Sequence, residues 1–151
     1  MKELRDLITD YLRQAKLMQL ATVVNDKPWV CNVWFAFDSN LNLYWFSSTT
    51  RRHSDELTKN QNVAGAIASP QTPEDHPRGV QFEGVAEMLT LKEDIDHAIS
   101  LYKNRIFPIE KINALMNSKE RPHKFYRIKP KLYVLFDAVN FPQNARQELS
   151  L

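Results

Sequence analysis

The chain has 151 residues, of which 43% are hydrophobic and 25% charged, with a net charge of +2, three glycines and a single cysteine, Cys31. That length is enough for one domain with a full core, read here as residues 1–151; so small a charge argues against nucleic acid, and one cysteine excludes a disulfide framework or a multi-cysteine metal site. Gly65, Gly79 and Gly84 cannot build a dinucleotide fingerprint, and Gly79 and Gly84, although spaced like a P-loop, are followed by Val85 and Ala86 where Lys and Ser/Thr are required.

Charges run through the N-terminal stretch MKELRDLITDYLRQAK, unlike a signal peptide, and apolar runs are far too short to span a membrane as a helix. A soluble, cytoplasmic protein is expected. Leu4, Leu7, Ile8, Leu12 and Ala15 repeat with the helical period and predict the first helix. Met18 to Val24 reads as a strand, Asn25 to Pro28 as a turn, and Trp29 to Phe37 as a second strand rich in Val, Trp and Phe. Asp38-Ser39-Asn40 turns the chain into a third strand, Leu41 to Phe46. The polar run Ser47 to Arg52 leads into a short helix over about His53 to Lys59, and Val63 to Ala68 forms a fourth strand.

The proline-containing stretch Ser69 to Arg78 is an exposed loop, followed by a long strand from Val80 to Leu91 with a bulge or close approach at Gly84. Thr90 to Glu93 has the spacing of a capping box and opens a helix to about Lys103. A further short helix follows Pro108, carried by Ile109, Ile112, Leu115 and Met116. Phe125–Ile128 and Leu132–Phe136 are the last strands, separated by Pro130, and the polar tail from Asn140 is expected to be loose. Strands thus come in hairpin-linked runs with helices inserted at a few points. The predicted class is mainly β (α+β), six or seven antiparallel strands in a barrel or sandwich with peripheral helices.

Two segments could carry chemistry. Ser47 to His53 packs four hydroxyls and three potential cations into a strand-to-helix junction. Helix N-termini present unpaired N–H groups, and Arg offers a planar fork to phosphate oxygens, so the segment can serve as a monophosphate cradle or simply as a solvated helix start. The aromatics of Trp29 to Phe37 and Tyr44-Trp45-Phe46 are read first as core, with a flat wall for a planar ligand as the alternative. His53, His76, His97 and His123 are scattered without zinc spacing, no metal site is predicted, and Cys31 reads as structural.

The order LATVV, PWVCNVWFAFD, LYWFSSTTRRHSDELTKNQNVAGAI and RGVQFEGVAEML resembles the FMN-binding split barrels related to pyridoxamine 5′-phosphate oxidase, over about residues 4 to 91. In that family a strand ends in a hydroxyl residue before a Ser/Thr-Arg-Lys-like triplet, with Leu four residues on; here Arg52, His53 and Leu57 take those places. The resemblance implies an FMN phosphate held by Arg52 and His53 with Ser47, Thr49 and Thr50 nearby. It places Asn32, Val33, Trp34 and Phe35 along the flavin ring, and implies a homodimer with flavin at the interface. His53 stands where Lys is usual, which makes that contact depend on pH. Gly79 falls where the oxidase has a polar residue, with Arg78 and Gln81 as candidates to replace it, and the oxidase's C-terminal Arg and Trp motif is not visible. Authentic pyridoxamine phosphate oxidase activity is therefore not expected. The resemblance implies an oxidoreductase passing hydride or electrons between a donor such as reduced nicotinamide and a small-molecule acceptor. The alternative is a non-enzymatic carrier of haem, deazaflavin or flavin, with His76 or His123 as haem ligand.

Overall fold

The computed structural model describes residues 2–151. Helix α1 (Leu4–Gln14) buries Ile8, Tyr11 and Leu12 and pairs Asp10 with Lys2 and Arg13 on its outer side. Strands β1 (Leu17–Val24) and β2 (Lys27–Phe37) form an antiparallel hairpin. Its loop has only two residues, Asn25 and Asp26, with φ of 52° and 61°; this is the mirror-image turn whose twist matches the strands, and Asn and Asp tolerate it. Pro28, expected in the turn, lies instead inside β2 opposite Val23. The β2 edge carrying it has no partner strand there, so its missing N–H costs nothing.

Strand β3 (Leu43–Ser48) follows a turn organised by buried Asp38, whose carboxylate accepts from the Asn40 and Asn42 amides at 2.9 and 3.0 Å and from the Tyr44 hydroxyl at 2.9 Å. Leu41, expected to start this strand, has a φ of 64° and belongs to the turn. Then come α2 (Arg52–Lys59), β4 (Asn62–Ile67), β5 (Arg78–Met88), α3 (Lys92–Tyr102), α4 (Ile109–Met116), β6 (His123–Asp137) and β7 (Arg146–Ser150). The sheet order is β3-β2-β1-β4-β5-β6-β7, and an additional β3–β6 pairing closes the first six strands into an antiparallel barrel. The barrel is thus the outcome of the two expected all-antiparallel choices, and its helices are peripheral. No helix among the described residues is long and apolar enough to cross a membrane.

Three further expectations are corrected. Thr90 does not cap α3: Leu91 is the capping residue, and no side chain bonds the helix start. Pro130 does not divide two strands but lies within the 15-residue β6. It faces Gly84 of β5, where the register shifts after Glu83, so the proline sits at a bulge where a ladder N–H is dispensable. The polar tail is not loose; Arg146–Ser150 adds β7 to the edge of β6, half-burying Gln147 and Leu149 and exposing Arg146, Glu148 and Ser150.

Two apolar clusters result. One fills the barrel, with Met18, Leu20, Phe35, Leu43, Trp45, Phe82 and Tyr133 under α1. The other lies between the outer side of β3 and β6 and helices α3 and α4, around Tyr44, Phe46, Tyr102 and Phe125. Arg105 ties the helices to the barrel: its guanidinium bonds the Leu12 and Ala15 carbonyls at the end of α1 and the Phe35 carbonyl of β2.

Barrel packing fixes the glycines. A Cβ at Gly65 would stand 2.2 Å from the Phe82 ring and 2.5 Å from the Gln19 carbonyl; one at Gly84 would stand 2.4 Å from the Lys129 carbonyl. At Gly79 the nearest atom is 3.6 Å away. Gly65→Ala and Gly84→Ala should each lose about 1–3 kcal/mol in urea unfolding, with Gly79→Ala within about 0.5 kcal/mol of the parent.

Candidate functional site

The site is made where the barrel splits. β2 pairs with β3 only from Phe35 to Phe37, against Leu43 to Trp45. Beyond that, β3 stays with β6, pairing Ser48 with His123, while β2 stays with β1. The two strands diverge and leave a cleft of about 630 Å³ between β2, the end of β3, the start of α2 and α4. Its size is within the roughly 300–1,000 Å³ of ligand sites.

The β2 wall offers peptide groups as well as side chains. The Phe35 N–H donates to the Lys16 carbonyl on the β1 side at 2.9 Å. Strand alternation therefore turns the peptide groups of Trp34, Asn32 and Val30 to the unpaired edge. The Tyr102 hydroxyl, reaching from α3, donates to the Trp34 carbonyl at 3.2 Å. Further along the edge no strand among the described residues pairs with β2, so its N–H and C=O groups are available to a ligand.

At the other wall, the end of β3 and the first turn of α2 bring Ser47, Ser48, Arg51, Arg52 and His53 to the cleft. The turn is built from hydroxyls: Ser48 Oγ lies 2.8 Å from Thr50 Oγ1, and Ser54 Oγ donates to the Ser48 carbonyl at 2.9 Å. His53 is buried, with Nε2 3.0 Å from Ser47 Oγ. Burial, reinforced by the nearby Arg51 charge, lowers its pKa, and the Glu56 carboxylate opposes them. In the free protein the imidazole is thus driven towards its neutral form; an incoming phosphate would act the other way. Arg52 stacks on the Trp29 ring at 4.1 Å and donates from Nε to Glu56 Oε1 at 3.3 Å.

Sequence-distant α4 completes the cleft with Phe107 just before it, Lys111 and Leu115, and His123 enters from the start of β6. The His123 Nδ1 lies 2.8 Å from the Arg121 carbonyl, which can only accept, so in the neutral ring Nε2 keeps its lone pair. Among the described residues Arg51, Arg52 and Lys111 are the fixed charges lining the cleft, and no carboxylate lines it. Cys31 also faces the cleft, but burial, then the Glu56 charge, raises its thiol pKa to about 11, so it stays protonated. Among the described residues no group of three or more His, Cys, Asp or Glu is placed to hold a metal ion.

Of the residues singled out in the sequence, Asn32, Val33, Trp34, Ser47, Arg52 and His53 come together here. Phe35 does not: its ring is fully buried in the barrel, and its peptide faces β1. Thr50 is exposed and spent on the turn with Ser48. Thr49 lines a separate groove with Asp55 and Met88, and Gln81 lines a smaller pocket beside Ala66 and Phe136. The aromatic strands serve both expected roles, since Phe35 and Trp45 fill the core while Trp29 and Trp34, 41% and 46% exposed, face the cleft. Arg51, Lys111 and Phe107 were missed as cleft residues, and His123 is expected from the sequence only as a haem ligand of the alternative reading, not as a neighbour of the cradle. For Arg51 the signal was its place beside Arg52; the other three lie in distant segments that no local pattern connects to the cradle.

A six-stranded antiparallel barrel split at one seam, with a cationic cleft in the split, defines the class. The pyridoxamine 5′-phosphate oxidase family profile matches residues 4–134, and the chain belongs to that family. A UPF0306 protein of Photorhabdus laumondii is 28% identical over 104 residues, covering 68% of this chain and 71% of its own. The haem storage protein HutZ from Vibrio cholerae superimposes with a TM-score of 0.71 at 22% identity, over 85% of this chain and 91% of its own. An FAD-binding protein from Mesorhizobium loti does so with a TM-score of 0.60 at 22% identity, over 84% and 87%.

The depressed His53 pKa makes stability depend on pH. As pH falls, the unfolded chain takes up the proton first, at about 6.5, so this contribution is complete above that value and is lost as pH drops towards the lower folded pKa. An NMR titration of the His53 ring should give a midpoint below the ordinary one, and Arg51→Ala should raise it; an unchanged midpoint in that variant would refute the assigned charge effect.

Proposed function

We propose that the chain is an FMN-binding flavoprotein, an oxidoreductase that passes hydride or electrons between a donor such as reduced nicotinamide and a small-molecule acceptor. The observation that carries this reading is the pairing, in one cleft, of a carboxylate-free cationic end with an unpaired strand edge. FMN has a matching division: a dianionic phosphate at one end and a planar ring edged with donors and acceptors at the other. Arg52, Arg51, Ser47 and the first turn of α2 would hold the phosphate, with His53 gaining a proton beside it. The β2 edge from Val30 to Trp34 would take the ring's polar rim, with Trp34 beside it.

The bound flavin supplies the redox chemistry, while the chain positions it and limits solvent access. No protein nucleophile is required, in keeping with a thiol at Cys31 that stays protonated. The working unit in this proposal is a homodimer with the flavin at its interface. Support comes from the outer barrel face, where Ala21, Val23, Val30, Ala64 and Ala66 leave an accessible apolar patch beside the cleft residues Asn32 and Trp34.

Haem is a second reading because His123 lies in the cleft with a free Nε2 lone pair, whereas His76 is on an exposed loop outside it. The two readings separate experimentally. Under the flavin proposal, the purified protein shows a flavin absorption spectrum or binds added FMN. Arg52→Ala weakens FMN by about 10- to 100-fold, as expected for lost charge-assisted bonds, and leaves riboflavin within about twofold. Equal losses for both ligands would remove Arg52 from the phosphate site. A haem Soret band that disappears in His123→Ala, with no FMN affinity, would favour the second reading.

A further inference from the structure

We infer that Glu56, which does not line the cleft, is the positioning residue for its phosphate-binding arginine, and that it thereby sets the preference for phosphorylated over unphosphorylated ligands. This deepens the flavin-phosphate reading and rests on it. Glu56 is 6% exposed, an unusual place for a carboxylate. Both of its oxygens are engaged: Oε2 accepts from the Thr22 hydroxyl of β1 at 2.7 Å, and Oε1 accepts from Arg52 Nε at 3.3 Å. Thr22 is itself buried, so the carboxylate is anchored to the barrel rather than to its own helix alone.

The guanidinium is thus held on two sides. Glu56 fixes its Nε edge, and Trp29 covers one face at 4.1 Å. Its two terminal nitrogens make no hydrogen bond among the described residues, and Arg52 lines the cleft. A planar fork held this way presents two parallel donors to a phosphate. A free arginine on a helix surface would have to give up most of its rotamer freedom at the moment of binding, which a preset one has already lost. The carboxylate also sits behind the arginine rather than in the cleft, so it orients the cation without placing an acid in the path of an anion.

Glu56→Gln keeps the shape and an acceptor for Thr22 but removes the charge that draws in Arg52. FMN and riboflavin affinities are measured for the 151-residue chain, for Glu56→Gln, for Arg52→Ala and for the double variant. Glu56→Gln is expected to weaken FMN by about fivefold to tenfold and riboflavin by less than about twofold. Measured well above the ordinary imidazole pKa, where His53 is neutral in every variant, it should add no further loss in the Arg52→Ala background, because its effect then passes through that side chain. In 15N-arginine spectra the Arg52 Nε–H signal should be sharp and slow to exchange in the parent and broadened in Glu56→Gln. An FMN-to-riboflavin ratio unchanged by Glu56→Gln, or an equal extra loss without Arg52, overturns the proposal.

A parent that binds neither flavin would end the flavin reading by itself. The positioning role is then decided by titrating inorganic phosphate against the Arg52 Nε–H signal. A response weakened about fivefold in Glu56→Gln supports it; an equal response in both, or none in the parent, overturns it.

Discussion

The site depends on where one ladder stops. β2 and β3 share only three residue pairs, from Phe35–Trp45 to Phe37–Leu43. Had they stayed together, the barrel would have closed along that seam, and the peptide groups from Val30 to Trp34 would have been used in it. Each strand instead satisfies its other edge, β2 on β1 and β3 on β6, so the sheet loses one short run of pairing without losing the barrel. The closure by β6 makes the opening tolerable. Helices α3 and α4 then pack beside it, with Tyr102 and Arg105 meeting the carbonyls of Trp34 and Phe35 near the point of divergence.

Charge is arranged around that opening in two layers. The fixed cations Arg51, Arg52 and Lys111 are exposed to the cleft, whereas Glu56 is buried behind it. Glu56 is compensated by a hydroxyl and a guanidinium, which is what a buried carboxylate requires. His53 stands between the two layers, close enough to Arg51 and sufficiently desolvated to resist protonation in the free protein. The same placement makes it responsive to a bound dianion, whose charge favours the imidazolium.

Much of this was legible in the sequence because its signals are local. The α1 periodicity, the β1–β2–β3 succession and the hydroxyl-rich junction before α2 each occupy one short window; Arg52, His53 and Ser47 follow from that junction, and Trp34 from the family resemblance. Strand β7 escaped because an edge strand facing solvent keeps charged residues, so RQELS carries no apolar run. Pro130 misled because its tolerance depends on Gly84, 46 positions earlier and paired with it only in three dimensions. Phe35 was misplaced by the period of two: it sits beside Trp34 in sequence and on the opposite face in space. The Trp29 ring over Arg52 joins β2 to α2 and has no signature in spacing, whereas the Arg52–Glu56 pair has the i,i+4 spacing of a helix but nothing local to show that its carboxylate is buried.

The central claim is that the split between β2 and β3 receives a flavin with its phosphate at the start of α2. The most direct test is a crystal structure of the protein grown with FMN. The account predicts the phosphate within hydrogen-bond reach of Arg52 and Ser47, and the ring's polar rim along the peptide groups of Val30 to Trp34. A phosphate bound elsewhere, for instance in the groove lined by Thr49 and Asp55, or a cleft that stays empty at saturating FMN, would contradict it.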